Sequence, residues 1–313
     1  MSHFVHKRSI ILLDGGVGGE IFARAPKELK HHWGNAAFLG NGPEIAKNVH
    51  LDYFKAGSHI ATANSYIGVK SRLIGKLTIS KTAEEICKMA LEAAQEARKE
   101  NGSGLVAGSL GPLFNSYRSD QDVMHPFEVQ VDLYSEYIKN LSDADILIFE
   151  TVASIHHAQI ILVAVKRNQP LKPVWISFTV DDNDGLKLRS GELLSDAKFI
   201  AESGLVDAVL VNCSMPEAIS KSLTSLKEFC IPFGAYGNGF KDINAFIKTR
   251  DYTAIGHRED LKCQVYADFV IDWIKQGAQI VGGCCEIGPE YISTIAQRIT
   301  DAGYELTKFN KSN

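Results

Sequence analysis

The sequence contains no apolar run near the roughly 20 residues that a bilayer-spanning helix needs. Its longest, Ile160–Val165, is far too short. Met1–Arg8 is polar and the apolar stretch after it stops at Asp14, too little for a secretory signal, so a soluble, cytoplasmic protein is expected. A basic excess is missing as well: 33 Lys and Arg face 37 Asp and Glu, a net charge of −4, which argues against a nucleic-acid partner. Six cysteines in 313 residues are too few for a disulfide-stapled module, so reduced thiols, metal ligands or nucleophiles are expected. Catalytic signatures are scarce. G-x-S-x-G, a P-loop and H-E-x-x-H do not occur, and Gly16-Val17-Gly18-Gly19-Glu20 lacks the third glycine of a dinucleotide fingerprint. His31-His32 and His156-His157 are adjacent pairs whose side chains diverge on a helix, and they read as surface or capping groups. The tyrosines and phenylalanines do not interleave with Lys and Arg and read as core.

What is present is an alternation. Short apolar runs predict strands at Ile10–Leu13, His59–Ala63, Leu105–Gly108, Ile146–Phe149, Val174–Phe178, Ala208–Val211, Pro232–Ala235 and Gln279–Val281. Between them, helical periodicity marks Pro43–Lys55, Thr82–Lys99, Phe127–Leu141, Ile155–Val165, Asp196–Ser203, Glu217–Phe229, Gln264–Gln276 and Pro289–Ala302. Eight βα units imply a parallel sheet buried on both faces, and fit a (β/α)8 TIM barrel better than an open doubly wound sheet. No linker or low-complexity stretch divides the chain. One α/β domain spanning 1–313 is expected, with Asp181–Gly191 as the most loop-like internal segment and 308–313 as a loose tail.

Barrels of this kind carry their active sites at the C-terminal ends of the strands. The residues that follow the runs are unusual ones: Asp14-Gly15-Gly16, Asn64-Ser65-Tyr66, Ser109-Leu110-Gly111-Pro112, Glu150-Thr151, Asn212-Cys213, Tyr236-Gly237-Asn238 and Gly282-Gly283-Cys284-Cys285. Cys213, Cys284 and Cys285 therefore share one rim and make a plausible three-thiolate set for Zn²⁺, with a fourth position open to substrate. Buried structural cysteine is the competing reading, and it is the one given to Cys87, Cys230 and Cys263. Gly282 and Gly283 would let adjacent cysteines turn the same way. Either Asp14 caps a turn and Glu150 pairs with a local Arg or Lys, or the two acids meet a cationic ligand. An ammonium group is such a ligand, and backbone N–H groups at Gly15 and Gly16 would serve a carboxylate, which together suggest an α-amino acid.

Taken in order, Leu13-Asp14-Gly15-Gly16, His50-Leu51-Asp52-Tyr53-Phe54, Gly108-Ser109-Leu110-Gly111-Pro112, Phe149-Glu150-Thr151, Asn212-Cys213 and Gly282-Gly283-Cys284-Cys285 with Gly288-Pro289 resemble the homocysteine S-methyltransferase family. That family groups S-methylmethionine- and betaine-dependent enzymes with the homocysteine-binding module of methionine synthase. The resemblance runs from Leu12 to about Ile292. It implies that Cys213, Cys284 and Cys285 hold Zn²⁺ with the homocysteine sulfur in the open position. It also implies that Asp14 and Glu150 bind the amino group and that Gly15 and Gly16 lie near the carboxylate. Asn238 would take the vacant position or stand behind the ligands. The chain departs from the family pattern at Val17 and Gly19, where Met and Thr are usual, at Ile67 for Gln, and at Gly237 for Pro.

The expected activity is zinc-dependent methyl transfer from a small donor, S-methylmethionine or S-adenosylmethionine being favoured, to homocysteine, giving methionine. The expected partners are small molecules only. A cobalamin or folate module does not fit in this length. Another thiol or selenol acceptor, a betaine-type donor, or a non-catalytic zinc or vicinal-disulfide sensor are the alternatives.

Overall fold

Strands buried on both faces read as apolar runs, and all eight form where those runs lie. The computed structural model describes residues 9–73, 80–241, 243, 247 and 255–307. The amino-terminal octapeptide and the expected tail 308–313 lie outside the described residues. The strands are β1 (Ser9–Leu12), β2 (Ile60–Ala63), β3 (Leu105–Leu110), β4 (Ile146–Val152), β5 (Val174–Phe178), β6 (Ala208–Asn212), β7 (Phe233–Gly237) and β8 (Ile280–Gly283). A two-residue β9 (Glu305–Leu306) was not expected. The helices are α1 (Val17–Arg24), α2 (Gly42–Lys55), α3 (Lys70–Leu73), α4 (Ala83–Asn101), α5 (Ser119–Asp122), α6 (Phe127–Asn140), α7 (Ile155–Asn168), α8 (Phe199–Glu202), α9 (Pro216–Lys227), α10 (Cys263–Gln276) and α11 (Pro289–Asp301). The helix expected at Asp196–Ser203 is divided into a 3₁₀ turn at Leu194–Lys198 followed by α8.

All ladders are parallel, in the order β2-β3-β4-β5-β6-β7-β8-β1-β9. A single bridge between Leu13 and Ile60 joins β1 to β2 and closes the ring. Around it, His59 N–H donates to the Leu12 carbonyl (2.7 Å) and Leu12 N–H donates to His59 Nδ1 (3.1 Å). Thr307 N–H bonds the Ile10 carbonyl, so β9 lies along the same edge of β1 as β2, nearer its start. Alternation along the strands builds two cores. Ile11, Leu13, Ile148, Trp175, Leu210 and Ile280 fill the barrel, whereas Leu12, Phe149, Ile176, Val209 and Val281 pack outward against the helices.

Candidate metal and substrate site

The strand ends converge on a cavity of about 240 Å³ whose walls include Asp14, Glu150, Cys213, Cys284 and Cys285. A larger cavity, about 720 Å³, opens at the opposite end of the barrel among Ile11, Trp175 and Phe233. Its acids are already committed: Asp207 accepts from Val174 N–H at 2.9 Å, and Asp145 from Val106 N–H and Arg98. The three cysteines occur only at the smaller opening among the described residues, which makes it the candidate site.

Cys213 follows β6 and the Cys284-Cys285 pair follows β8. Their sulfurs all lie within 4.8 Å of one another, and Cys213 Sγ is 3.7 Å from Cys285 Sγ. A tetrahedral ion with metal–sulfur bonds of roughly 2.3 Å would hold its thiolates about 3.8 Å apart, so this donor set fits Zn²⁺. Cys213 adopts a left-handed backbone (φ 47°), as do Tyr117 (66°), Thr151 (61°) and Glu286 (66°), which line the same cavity. Side chains other than glycine resist this region, so neighbouring contacts must impose it. Cys213 N–H is held by the Tyr236 carbonyl, and Asn212 clamps Thr151 by accepting its N–H (2.9 Å) and donating to its hydroxyl (3.2 Å).

The glycines before the pair serve a different purpose from the one expected. Neither has a positive φ; a Cβ on Gly282 would stand 2.6 Å from Leu13 Cβ, and one on Gly283 would stand 2.2 Å from Ile287 Cγ2. They let β8 press against β1 and let the 284–287 loop fold back. Tyr117 and Asn238 aim at Cys213, the phenol oxygen at 2.8 Å and Asn238 Nδ2 at 3.9 Å. Asn238 is fully buried behind the cysteine, with its Oδ1 accepting from Phe240 N–H. Hydrogen bonds from Cys284 and Cys285, then from Tyr117 and Asn238, draw the Cys213 thiol below its ordinary pKa, and bonding to Cys213 raises those of Cys284 and Cys285. Phe240, Ile243 and Ile255 cover the cluster with apolar surface. Cys87, Cys230 and Cys263 take no part in it; Cys87 is buried as expected, whereas Cys230 is exposed and Cys263 half-buried.

The two carboxylates are buried. Asp14 accepts from Thr62 N–H (2.6 Å) and Thr62 Oγ1 (2.7 Å); Glu150 accepts from Tyr236 OH (2.9 Å) and from Ser109 Oγ. Neither pairs with a base among the described residues, so the local Arg or Lys partner expected for Glu150 is not among them. Burial raises each pKa to about 7. The backbone reading needs correction at Gly16 alone, while Gly15 lines the cavity as expected. Gly16 N–H donates to the Ile287 carbonyl (2.9 Å), so it is not free for a ligand carboxylate. A Cβ at Gly15 would lie 2.0 Å from that same carbonyl oxygen. Gly18 and Gly19, in the first turn of α1, also line this wall and are half-buried, whereas the Val17 N–H is bonded to the Gly15 carbonyl (2.9 Å).

Two sequence readings give way here. Tyr66, Tyr117 and Tyr236 line the cavity rather than serving only as core. His157 is buried and bonded to Tyr134 OH, not on the surface; the side chain of His31 is outside the described residues. Arg189 was not anticipated at all. It is an almost fully buried base, ion-paired to Asp182 at 3.0 Å, with its guanidinium 5.4 Å from the Tyr117 ring centre.

A homocysteine S-methyltransferase family model matches residues 11–299. The chain belongs to the homocysteine S-methyltransferase family. It is 29% identical to the homocysteine S-methyltransferase of Escherichia coli K12, over 93% of this chain and 96% of that protein. It is 26% identical to the selenocysteine methyltransferase of Astragalus bisulcatus, over 98% and 97% of the two chains. The crystal structure of the homocysteine methyltransferase MmuM from E. coli, metallated form, superposes with a TM-score of 0.75 at 24% identity, covering 93% of this chain and 97% of that one. That likeness supports the barrel fold. Family membership gives the cysteine cluster its chemical context, and three of the family-pattern departures, Val17, Gly19 and Ile67, line the cavity.

Proposed function

We propose that the protein transfers a methyl group from a small sulfonium donor to homocysteine, and that Cys213, Cys284 and Cys285 hold Zn²⁺ for this reaction. The observation that carries the reading is three sulfurs at metal-ligand spacing in one cavity with two buried, base-free carboxylates. Bound there, Zn²⁺ would strip the proton from a thiol whose ordinary pKa is about 8.5 and keep the sulfur nucleophilic at neutral pH.

The chain's own residues do the rest. Asp14 and Glu150 bracket the acceptor's ammonium group, replacing the water it loses on entry. Thr62 fixes the first carboxylate, and Ser109 with Tyr236 the second, so the acceptor enters in one orientation. In the first turn of α1, Gly18 and Gly19 offer backbone N–H groups and the positive end of a helix dipole to its carboxylate. The apolar cover of Phe240, Ile243 and Ile255 keeps water off the sulfur. In-line displacement forms the new sulfur–methyl bond as the donor's carbon–sulfur bond breaks. Its electron pair stays on the departing sulfur, and the thiol proton leaves to solvent. Positioning supplies the acceleration, so a base acting on the acceptor is not needed.

A cavity below the usual range of roughly 300–1,000 Å³ favours small substrates, S-methylmethionine ahead of S-adenosylmethionine. A different small thiol or selenol acceptor is the second reading, favoured by the cavity-lining departures at Val17, Gly19 and Ile67. Metal analysis and turnover with a donor panel test the proposal. Reduced protein should carry about one zinc per chain, and Cys284→Ser should lose both zinc and methyl transfer. Full activity in that variant, or a zinc-free protein with an oxidised Cys284–Cys285 pair, would sink the mechanism.

A further inference from the structure

Three carboxylates line the cavity, at Asp14, Glu150 and Glu286; among the described residues a single base, Arg72 of α3, joins them. Its guanidinium lies 5.1 Å from the centre of the Tyr66 ring. Tyr66 is itself held by Ser116, hydroxyl to hydroxyl at 2.8 Å. Nη1 of Arg72 donates to the Pro112 carbonyl (3.2 Å) and reaches Ser116 Oγ (3.4 Å). Both contacts use the same nitrogen. The Nε–Nη2 edge of the fork has no partner among the described residues, nor does any described carboxylate stand within ion-pair distance of it. Arg189 shows the contrast: it too stacks on a tyrosine of this cavity, but Asp182 neutralises it. Among the described residues Arg72 is thus a preorganised fork with an unfilled edge, of the geometry that a carboxylate fills bidentately.

We propose that Arg72 binds the carboxylate of the methyl donor, which makes the donor a zwitterionic onium: a sulfonium or quaternary ammonium that also carries a carboxylate. This inference rests on the methyl-transfer reading above. The acceptor already has its anchors at the cysteines, at Asp14 with Glu150, and at the first turn of α1. Arg72 hangs from a different part of the rim, the loops after β2 and β3. Its neighbour Ser116 adjoins Tyr117, whose hydroxyl touches Cys213. A molecule seated on Arg72 therefore approaches the cysteine cluster from the Tyr66–Tyr117 side. An onium there loses its positive charge when the methyl leaves, whereas its carboxylate remains paired, so the arrangement grips the donor at the end that does not react.

Steady-state kinetics of wild type, Arg72→Gln and Arg72→Lys with homocysteine test the inference. The donors are S-methylmethionine, its methyl ester and glycine betaine. Arg72→Gln should raise the KM for S-methylmethionine about 10–100-fold, as loss of a charge-assisted pair does, and leave the homocysteine KM unchanged. Wild type should prefer the acid to the ester, the Gln variant should lose that preference, and Lys should restore part of it. A rise in homocysteine KM instead, or equal use of acid and ester by wild type, overturns the assignment. Wild type that binds homocysteine in calorimetry yet turns over none of the carboxylate-bearing donors overturns it too. Failure to bind homocysteine at all would strike the methyl-transfer reading itself.

Discussion

At the scale of single residues, burial sets what Asp14 and Glu150 can do. They are 2% and 9% exposed, and burial lifts both pKa values to about 7, so near neutrality each carries its proton part of the time. An ammonium ligand selects the ionised forms. Methionine, which has no thiol proton to lose, should therefore bind more tightly as pH rises from 6 to 8 and release protons near pH 7. Calorimetry in buffers of different ionisation enthalpy would show this, and binding without proton release would refute it. The stability sign is opposite. Folded-state pKa values raised above the unfolded ones favour folding below about pH 4, and this contribution is lost as pH climbs through 7. Ligand-free protein should melt lower at pH 8 than at pH 6, with methionine narrowing the gap. Glu150→Gln should raise the homocysteine KM about 10–100-fold through loss of a charged hydrogen-bonding partner. Tyr117→Phe removes the hydroxyl at Cys213 and should weaken metal binding about 10–100-fold, measured by chelator competition. Asp14, Glu150 and the three cysteines were legible because each ends or follows an apolar run. Tyr117, Arg72 and Arg189 were not, since they stand in loops whose direction is set by distant packing partners.

Elements were legible to the extent that burial wrote them. Strands sandwiched between helices and a filled interior must be apolar throughout, and this is why all eight emerged from hydrophobic runs. β9 offers only Glu305 and Leu306, too short for any pattern. Gly18 and Gly19 disguise α1, whose helical conformation comes from packing Val17 and Ile21 inward. The 3₁₀ segment Lys27–Phe38 lacks an apolar period of its own. The turn between β1 and α1 depends on its neighbour after β8: a Cβ on Gly16 would stand 2.7 Å from the Cys284 carbonyl oxygen and 3.1 Å from Cys285 Cα. Gly16→Ala should push the cysteine loop outward, costing about 1–3 kcal/mol in denaturant unfolding and lowering zinc content. A variant of wild-type stability and full metal loading would show that the loop is not wedged there.

For the whole molecule, counting βα units was enough to choose a closed barrel over an open sheet, yet how closure is made was beyond the sequence. The cysteine cluster ties the end of β6 to the end of β8, across β7. Binding to this set favours the folded chain alone, so metal at about 1,000 times its Kd adds about 4 kcal/mol. Removing it with a chelator should lower the melting temperature, and restoring zinc should reverse the change. A melting temperature indifferent to chelation would mean that the sulfurs hold no ion.

The ring's own fastening lies elsewhere. β1 and β2 share one bridge, flanked by the His59 bonds and, one step higher, by the grip of Asp14 on Thr62. The carboxylate assigned to the acceptor's amino group is thus also the clasp of the barrel, and parting the seam empties the pocket in the same movement. Breathing of this fold should begin at its active mouth. The amides of His59 and Thr62 should exchange early with solvent deuterium, and a ligand held by Asp14 should slow them first.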